Sequence, residues 1–332
     1  MFNVKKNEKR LLGQTFIDLF CGIGGFHLAL SSYGARCVFS SEIDGAACDV
    51  YQKNFGVRPA GDIRKIRSNQ IPKHDILCAG FPCQAFSISG KLDGFKDPNG
   101  KLFFEVIRIA KYHKPKMIML ENVKNIQTHN DGKTLKRISE ELNKIGYKPF
   151  SKVLNATNFG VPQARKRLYI VAFRDDLNIN DFAFPERKGK VKSLEDILIE
   201  QDTKKYIITR EYKLDLDIER ATKKSSELVR IGKIGKGRQG ERIYSAKGQS
   251  ITLSSQGGGL GGKTGMYYVN GNVRKLTPRE CAHLMGFPNK YKISELESEC
   301  YKQFGNSVVV NVLQEIIARA SKKIIKEGER NG

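Results

Sequence analysis

The 332-residue chain has no uninterrupted run of about 18 apolar residues, the length a bilayer-spanning helix needs, so no transmembrane span is expected. Its first segment, MFNVKKNEKRLLGQTF, holds no apolar core of a secretion signal, and a cytoplasmic protein is the expectation. Cysteines are few: seven, at 21, 37, 48, 78, 83, 281 and 300. That odd number without a C-x-x-C pair indicates neither a disulfide framework nor a zinc ribbon. The five histidines show no ligand spacing, and no metal is expected. Acidic residues are also scarce, 35 against 58 Lys and Arg, for a net charge of +23. A basic excess of that size points to a polyanion such as DNA or RNA, with a merely Lys-rich solvated surface as the plainer alternative.

What is present reads as a soluble α/β protein, long enough for two domains or one heavily decorated domain. Its first half alternates short apolar β-rich runs with segments of helical period, the signature of a doubly wound sheet. TFIDLF (15–20), RCVFSSE (36–42), HDILCAGF (74–81), MIMLEN (117–122), FSKVLNA (150–156) and RLYIVAF (167–173) are predicted strands. Helices are predicted at 26–34, 44–56 with Asp44 as N-cap, around 101–113, and near 133–146. The proline-bearing stretch FAFPERKGKVK marks a boundary, and 190 to 275 is glycine-rich and basic. TPRECAHLMGF (277–287) and NSVVVNVLQEIIARASKKII (306–325) return to helix, the second opened by Asn306 or Ser307. The expected domains are 1–189, completed by a C-terminal helix in 305–332, and 190–304 as a target-recognition domain and hinge.

DLFCGIGGF (18–26) is a glycine loop between the first strand and helix. Glycines there permit close backbone approach to a nucleotide-like ligand, though they equally permit helix-on-strand packing. The loop lacks both the third spaced glycine of a dinucleotide fingerprint and the Lys of a phosphate loop. Asp18, Glu42 and Asp62 all fall at carboxyl ends of strands, with Glu42 placed to accept from ribose hydroxyls and Asp62 from an adenine amine. That acidic setting suits a cationic sulfonium cofactor, S-adenosylmethionine, over a nicotinamide dinucleotide.

Cys83, in GFPCQAFS, lies just past a strand end, where an exposed thiol beside a basic site can ionise and act as a nucleophile. A buried structural thiol is the plainer reading, and a metal ligand a weak one for want of ligand spacing. Cys78, inside the strand, is expected to be a core hydrophobe. Pro82 fixes the backbone before the thiol. Glu121 ends the MIMLEN strand, where partial burial would favour proton donation, a cap or salt bridge being its plainer role. Arg165 and Arg167 stand where QARKRLYIV enters another strand. The glycine-rich segment 230–264 is read as backbone that approaches a ligand groove, against ordinary surface turns.

FIDLFCGIGGF, GFPCQAFS, ENV, QARKRLYIV, RKLTPREC and QFGNSVVVNVL occur in the order found in DNA cytosine-5 methyltransferases, and the chain resembles that family over nearly its whole length. The resemblance implies a Rossmann-like S-adenosylmethionine-dependent catalytic sheet with a smaller, mainly β, glycine-rich DNA-recognition domain. It implies that Cys83 adds to C6 of a flipped-out cytosine, that Glu121 contacts N3 and the exocyclic amine, that Arg167 holds O2 and the glutamate, and that Arg165 lies nearby on the substrate. Asp18, Phe20, Gly22, Gly24, Glu42, Ile43, Asp62, Pro82, Leu102 and Asn306 would form the cofactor site, Ile43 standing where a family member has an aromatic residue. KGRQGERIYS (236–245) and QSITLS (249–254) resemble recognition loops of a GCGC-methylating member. Gln239 would then fill the gap left by the base, with Ser87 and Ser89 approaching from the catalytic loop, Arg242 reading guanine, and Thr252 and Gly257 contacting DNA.

The implied partner is double-stranded DNA, bound by a monomer without metal or membrane. A cognate endonuclease would act on the same site without forming a stable complex. A tRNA methyltransferase of the same fold is disfavoured by the lack of a Cys-Phe-Thr motif. An inactive DNA-binding regulator is disfavoured by the retention of Cys83, Glu121 and Arg167 together, and a nicotinamide dehydrogenase by the loop spacing.

Overall fold

The computed structural model describes residues 10–81, 102–186, 192–199, 203–215, 223 and 225–328. Pro82, Cys83, Ser87 and Ser89 lie outside these described residues. The chain divides into two compact units. The first comprises 1–154, 166–185 and 312–332, and the second 155–165 and 186–311, so the segment 155–165, expected in the catalytic domain, is counted with the second unit.

In the first unit, β1 (Thr15–Leu19), β2 (Arg36–Ser41), β3 (Ile76–Ala79), β4 (Met117–Val123), β5 (Tyr147–Asn155) and β6 (Lys166–Arg174) form one sheet in the order β2-β1-β3-β4-β6-β5. The pairs β1/β2, β1/β3 and β3/β4 are parallel, and β4/β6 is antiparallel. The chain winds from β1 outward to β2 and then returns to β3 on β1's other side. That reversal is the switch point at whose carboxyl ends open sheets bind ligands.

Both sheet faces are covered, which is why the central strands read as nearly continuous apolar runs. Ile17, Leu19, Leu77, Ala79, Ile118 and Leu120 pack with Phe103, Val106 and Ile109 of α3 (Leu102–His113) and with Ile138 and Leu142 of α4 (Lys133–Lys144). On the opposite pleat Phe16, Ile76, Cys78, Met117 and Met119 are buried as well, and Cys78 is the core thiol expected. α1 (Gly25–Ser31) and α2 (Gly45–Phe55) follow β1 and β2. The Asp44 carboxylate caps α2 by accepting from Ala47 N at 3.2 Å, and Gly56 ends it in the left-handed conformation.

The second unit holds β7 (Lys213–Leu214), β8 (Arg230–Lys233), β9 (Arg242–Ser245), β10 (Met266–Val269) and β11 (Asn272–Arg274) in the order β11-β10-β9-β8-β7. Its small core is Ile208, Val229, Ile231, Ile234, Ile243, Met266 and Val273. Helix α5 (Pro278–Leu284) begins with the capping box that TPRE announces: Thr277 accepts from Glu280 N, and the Glu280 carboxylate accepts from Thr277 N. The Glu280 side chain, 0 % exposed, also takes both arms of Arg274 at 2.8 Å.

The carboxyl-terminal region differs from expectation. Asn306 closes a helix, α6 (Glu297–Asn306), and the next helix, α7, starts only at Val310 and runs to Gly328. Cys300 and Phe304, four residues apart, are the buried stripe that makes ESECYKQFGN helical.

Candidate active site and nucleic-acid interface

At the carboxyl end of β1 the backbone takes positive φ at Phe20 (56°), Gly22 (51°) and Gly24 (82°), which turns the chain sharply into α1. Gly24 has no alternative: a Cβ there would overlap the ring of Phe55. Glu42, just past β2, closes onto this loop. Its Oε2 accepts from Gly22 N at 2.9 Å, and its Oε1 from Ile43 N at 2.8 Å and Asp44 N at 2.9 Å. A carboxylate so held is fixed in orientation yet retains lone pairs for further donors. Beside it Ile43 is 73 % exposed, an unusual state for a large apolar side chain next to a concave backbone turn.

Two expected cofactor residues are placed differently. Asp18 lies beneath the loop at 0 % exposure rather than on its surface, because β1 is central and covered on both faces. Burial pushes its carboxyl well above the usual range, against the His27 amide, with the nearby Glu42 charge adding to the rise. Asp62 caps the turn after it and is gripped by Arg64, whose Nε lies 2.9 Å and Nη2 2.6 Å from its two oxygens. That hydrogen bond holds the Asp62 carboxyl below its ordinary range. The pair is solvent-accessible and so easily exchanged for another donor. Leu102 opens α3 half-buried, and Asn306 is exposed at the end of α6.

At the carboxyl end of β4, Glu121 is 8 % exposed. The antiparallel register sets Glu121 opposite Tyr169 and Val123 opposite Arg167. Residues 121 and 123 share a face, so Arg167 is Glu121's diagonal neighbour, and its Nε comes within 3.4 Å of Glu121 Oε1. Arg167 Nη1 donates to Lys166 O at 2.9 Å, which steadies the guanidinium. Asn122 points the other way. Its Nδ2 donates to Phe81 O at 3.0 Å, tying β4 to the strand end just before Pro82 and Cys83 in sequence. Sequence reading assigned Asn122 no role, although its place in ENV directly after Glu121 was the available signal.

Arg165, expected beside the substrate, is 2 % exposed in the second unit. Its Nη1 donates to Leu253 O at 3.2 Å, and its Nη2 to Gly305 O at 3.1 Å and Ser307 O at 2.7 Å. The whole segment 162–165 is laced to 250–253: Ser250 N donates to Pro162 O at 2.7 Å, Ala164 N to Ser250 O at 2.9 Å, and the Thr252 hydroxyl to Ala164 O at 2.6 Å. Gln163, fully buried, accepts from Leu253 N and donates to Leu284 O.

Gln239 is exposed on a single helical turn, Gln239–Glu241, that leads into β9, and the Nε of Arg242 donates to Gly237 O at 3.3 Å. The glycines 257–262 pack against this turn backbone to backbone. Gly261 N donates to Gly240 O at 2.8 Å, and a Cβ on Gly240 would overlap Gly258 O. Cβ atoms on Gly257 or Gly262 would each run into the other strand of their own loop. Gly240, Gly257 and Gly262 are therefore required for contact between protein backbones, whereas a Cβ on Gly258 would meet nothing within 4 Å.

Among the described residues no group of three or more His, Cys, Asp or Glu could hold a metal ion, and no helix is long and apolar enough to cross a membrane.

Comparison with known proteins shows the family. Residues 14–322 match the model of the family described as C-5 cytosine-specific DNA methylase. The chain is 50 % identical over 313 residues to the type II methyltransferase M.HhaI of Haemophilus parahaemolyticus, covering 94 % of this chain and 96 % of that protein. It is 41 % identical to the type II methyltransferase M.HpaII of Haemophilus parainfluenzae, covering 98 % and 93 %. Among solved structures, the Entamoeba histolytica methyltransferase EhMeth superposes with a TM-score of 0.71 at 20 % identity, over 95 % of this chain and 98 % of that one, which bears on the fold alone.

Proposed function

From the premise that this chain belongs to the C-5 cytosine-specific DNA methylases, we infer that it methylates C5 of the first internal cytosine of GCGC in duplex DNA, as the modification half of a type II restriction-modification pair. The observation that carries the catalytic reading is the Glu121–Arg167 pair, a nearly buried carboxylate and a guanidinium held on one face at a strand end.

Cytosine C5 is too poor a nucleophile to take a methyl group directly. Addition of the Cys83 thiolate to C6 would place an electron pair on C5 through an enamine-like intermediate. Glu121 would support that addition by donating to, or bonding at, N3 and by accepting from the exocyclic amine, with Arg167 on O2 holding base and carboxylate together. Once the C5 electron pair has formed the bond to the methyl group, loss of the C5 proton to solvent and expulsion of Cys83 would restore the aromatic ring and the free thiolate. None of this is reachable in a stacked duplex, so the base must be flipped out. Gln239 would occupy the gap opposite Ser87 and Ser89, Arg242 would read guanine, and Thr252 and Gly257 would face the DNA strand.

S-adenosylmethionine, the family's methyl donor, supplies an electrophilic methyl group when bound. The residues present fit it. Glu42, fixed by Gly22 N, would accept from ribose hydroxyls, the exposed Ile43 would offer an aliphatic contact to adenine, and the turn at Phe20, Gly22 and Gly24 would bring backbone close. Asp62, Pro82, Leu102 and Asn306 complete the proposed set, and Asp18 serves beneath it as a buried support. A cytoplasmic monomer, sharing its site with an endonuclease but not bound to it, is the accompanying proposal.

Incubation with labelled S-adenosylmethionine and a GCGC duplex, a shuffled duplex or tRNA tests the reading. Label should enter the GCGC duplex alone. Equal labelling of the shuffled duplex would overturn the target, and labelling of tRNA alone would overturn the substrate class.

A further inference from the structure

We propose that Arg165 is a positioning residue that locks the segment bearing Thr252 to the turn bearing Asn306, so that one buried side chain sets the affinity for both the DNA duplex and the methyl donor. The proposal rests on the assignment of Thr252 to DNA and Asn306 to the cofactor made above. The guanidinium bridges the two directly. One arm holds Leu253 O, the neighbour of Thr252, and the other holds Gly305 O and Ser307 O, the two neighbours of Asn306. Charge-assisted bonds to three backbone carbonyls in a site excluded from water are strong, and no neutral side chain could replace all three.

A second, independent feature places the same two segments in contact. Gly305 lies so close to Ser254 and Ser255 that a Cβ would overlap the Ser255 amide nitrogen. The segment that carries Arg165 is itself pinned to 250–253 by Gln163 and by the Thr252 hydroxyl on Ala164 O. Thr252 and Asn306 are thus held as one piece. Arg165 touches no reacting atom in this scheme, and its charge serves geometry.

The test measures binding, separately from turnover. S-adenosylmethionine affinity is read by calorimetry without DNA, and duplex affinity by gel shift without cofactor, for Arg165→Ala, Arg165→Lys, Gly305→Ala and, as a control, the exposed Lys166→Ala. Arg165→Ala should weaken both affinities together, each by about tenfold or more. Calorimetric stoichiometry should stay near one, which separates a displaced site from a misfolded fraction. Arg165→Lys should recover part of both affinities, Gly305→Ala should weaken both, and Lys166→Ala should change neither.

Loss of only one affinity, or of neither, in Arg165→Ala would overturn the proposal, as would intact binding with lost turnover. If Arg165→Ala does not fold, Arg165→Lys and Gly305→Ala decide by the same criterion, unchanged affinities in both counting against it. An unaltered protein that binds no S-adenosylmethionine would fail the functional reading itself, a result distinct from any variant effect.

Discussion

Neighbouring glycines in the second unit should respond oppositely to the same substitution. A Cβ on Gly262 would overlap Gly258 O and the Gly257 carbonyl carbon, all backbone atoms that cannot rotate aside, whereas a Cβ on Gly258 meets nothing within 4 Å. Gly262→Ala must therefore spread the loop 257–262 itself, and so strain the bond from Gly261 N to Gly240 O that ties it to the Gln239–Glu241 turn. Overpacking of this kind costs about 2 kcal/mol, and expressed in duplex binding it corresponds to a rise of ~30-fold in KM for DNA. Gly258→Ala should leave KM within about twofold, since surface changes without new contacts are nearly neutral. Initial rates against duplex concentration, with S-adenosylmethionine saturating, measure both. Equal effects of the two substitutions, or a Gly262→Ala protein with unchanged KM, would refute the view that backbone packing at Gly262 shapes the proposed recognition turn.

Three further outcomes are expected. Glu121→Gln keeps the shape of the side chain but loses its charge and proton, and should lower kcat by about 100-fold or more with KM for DNA little changed; single-turnover rates check this. Glu280→Gln breaks a buried pair that takes two bonds from Arg274 and one each from the Thr277 and Ile199 amides, and should cost roughly 3–5 kcal/mol, or ~10 °C in Tm by calorimetry; a shift below ~2 °C would contradict it. His74 is 4 % exposed, and burial lowers its pKa to about 4, with the His113 ring opposite and the Asp75 charge partly offsetting. The folded state then binds fewer protons than the unfolded one, so this contribution is present above pH ~6.5 and lost as pH falls towards 4, by ~3 kcal/mol in all. Urea midpoints at pH 7 and 4.5 should differ less in His74→Phe than in the unaltered protein.

The strands and helices around the site were legible because the central strands are buried on both faces and so spell continuous apolar runs. Asp44 and Thr277-Pro278 likewise announce their helices by local chemistry alone. Glu121 and Arg167 could be placed at strand ends, but their pairing depends on the β4/β6 register, which no local pattern encodes. The partners of Arg165 are hidden for a similar reason: its acceptors lie 88 to 142 residues away in sequence, and Arg165 itself precedes the strand that begins at Lys166, so the strand pattern does not place it. The glycines of 257–262 could not be assigned from sequence, because approach to a ligand and approach to another backbone both require the absence of Cβ. Helix α6 was missed because Asn306, an apt N-cap for the apolar-striped helix after it, in fact closes the helix before it.

The covalent step is the centre of the account, and a duplex carrying 5-fluorocytosine at the first internal cytosine of GCGC tests it most directly. Fluorine in place of the C5 proton blocks the elimination that frees the thiol, so the adduct should persist after methyl transfer. The account predicts one protein–DNA species stable to denaturation, formed only with S-adenosylmethionine, and mapping by mass spectrometry to Cys83. Methylation of the ordinary duplex without such a species, or attachment at any other cysteine, would contradict it.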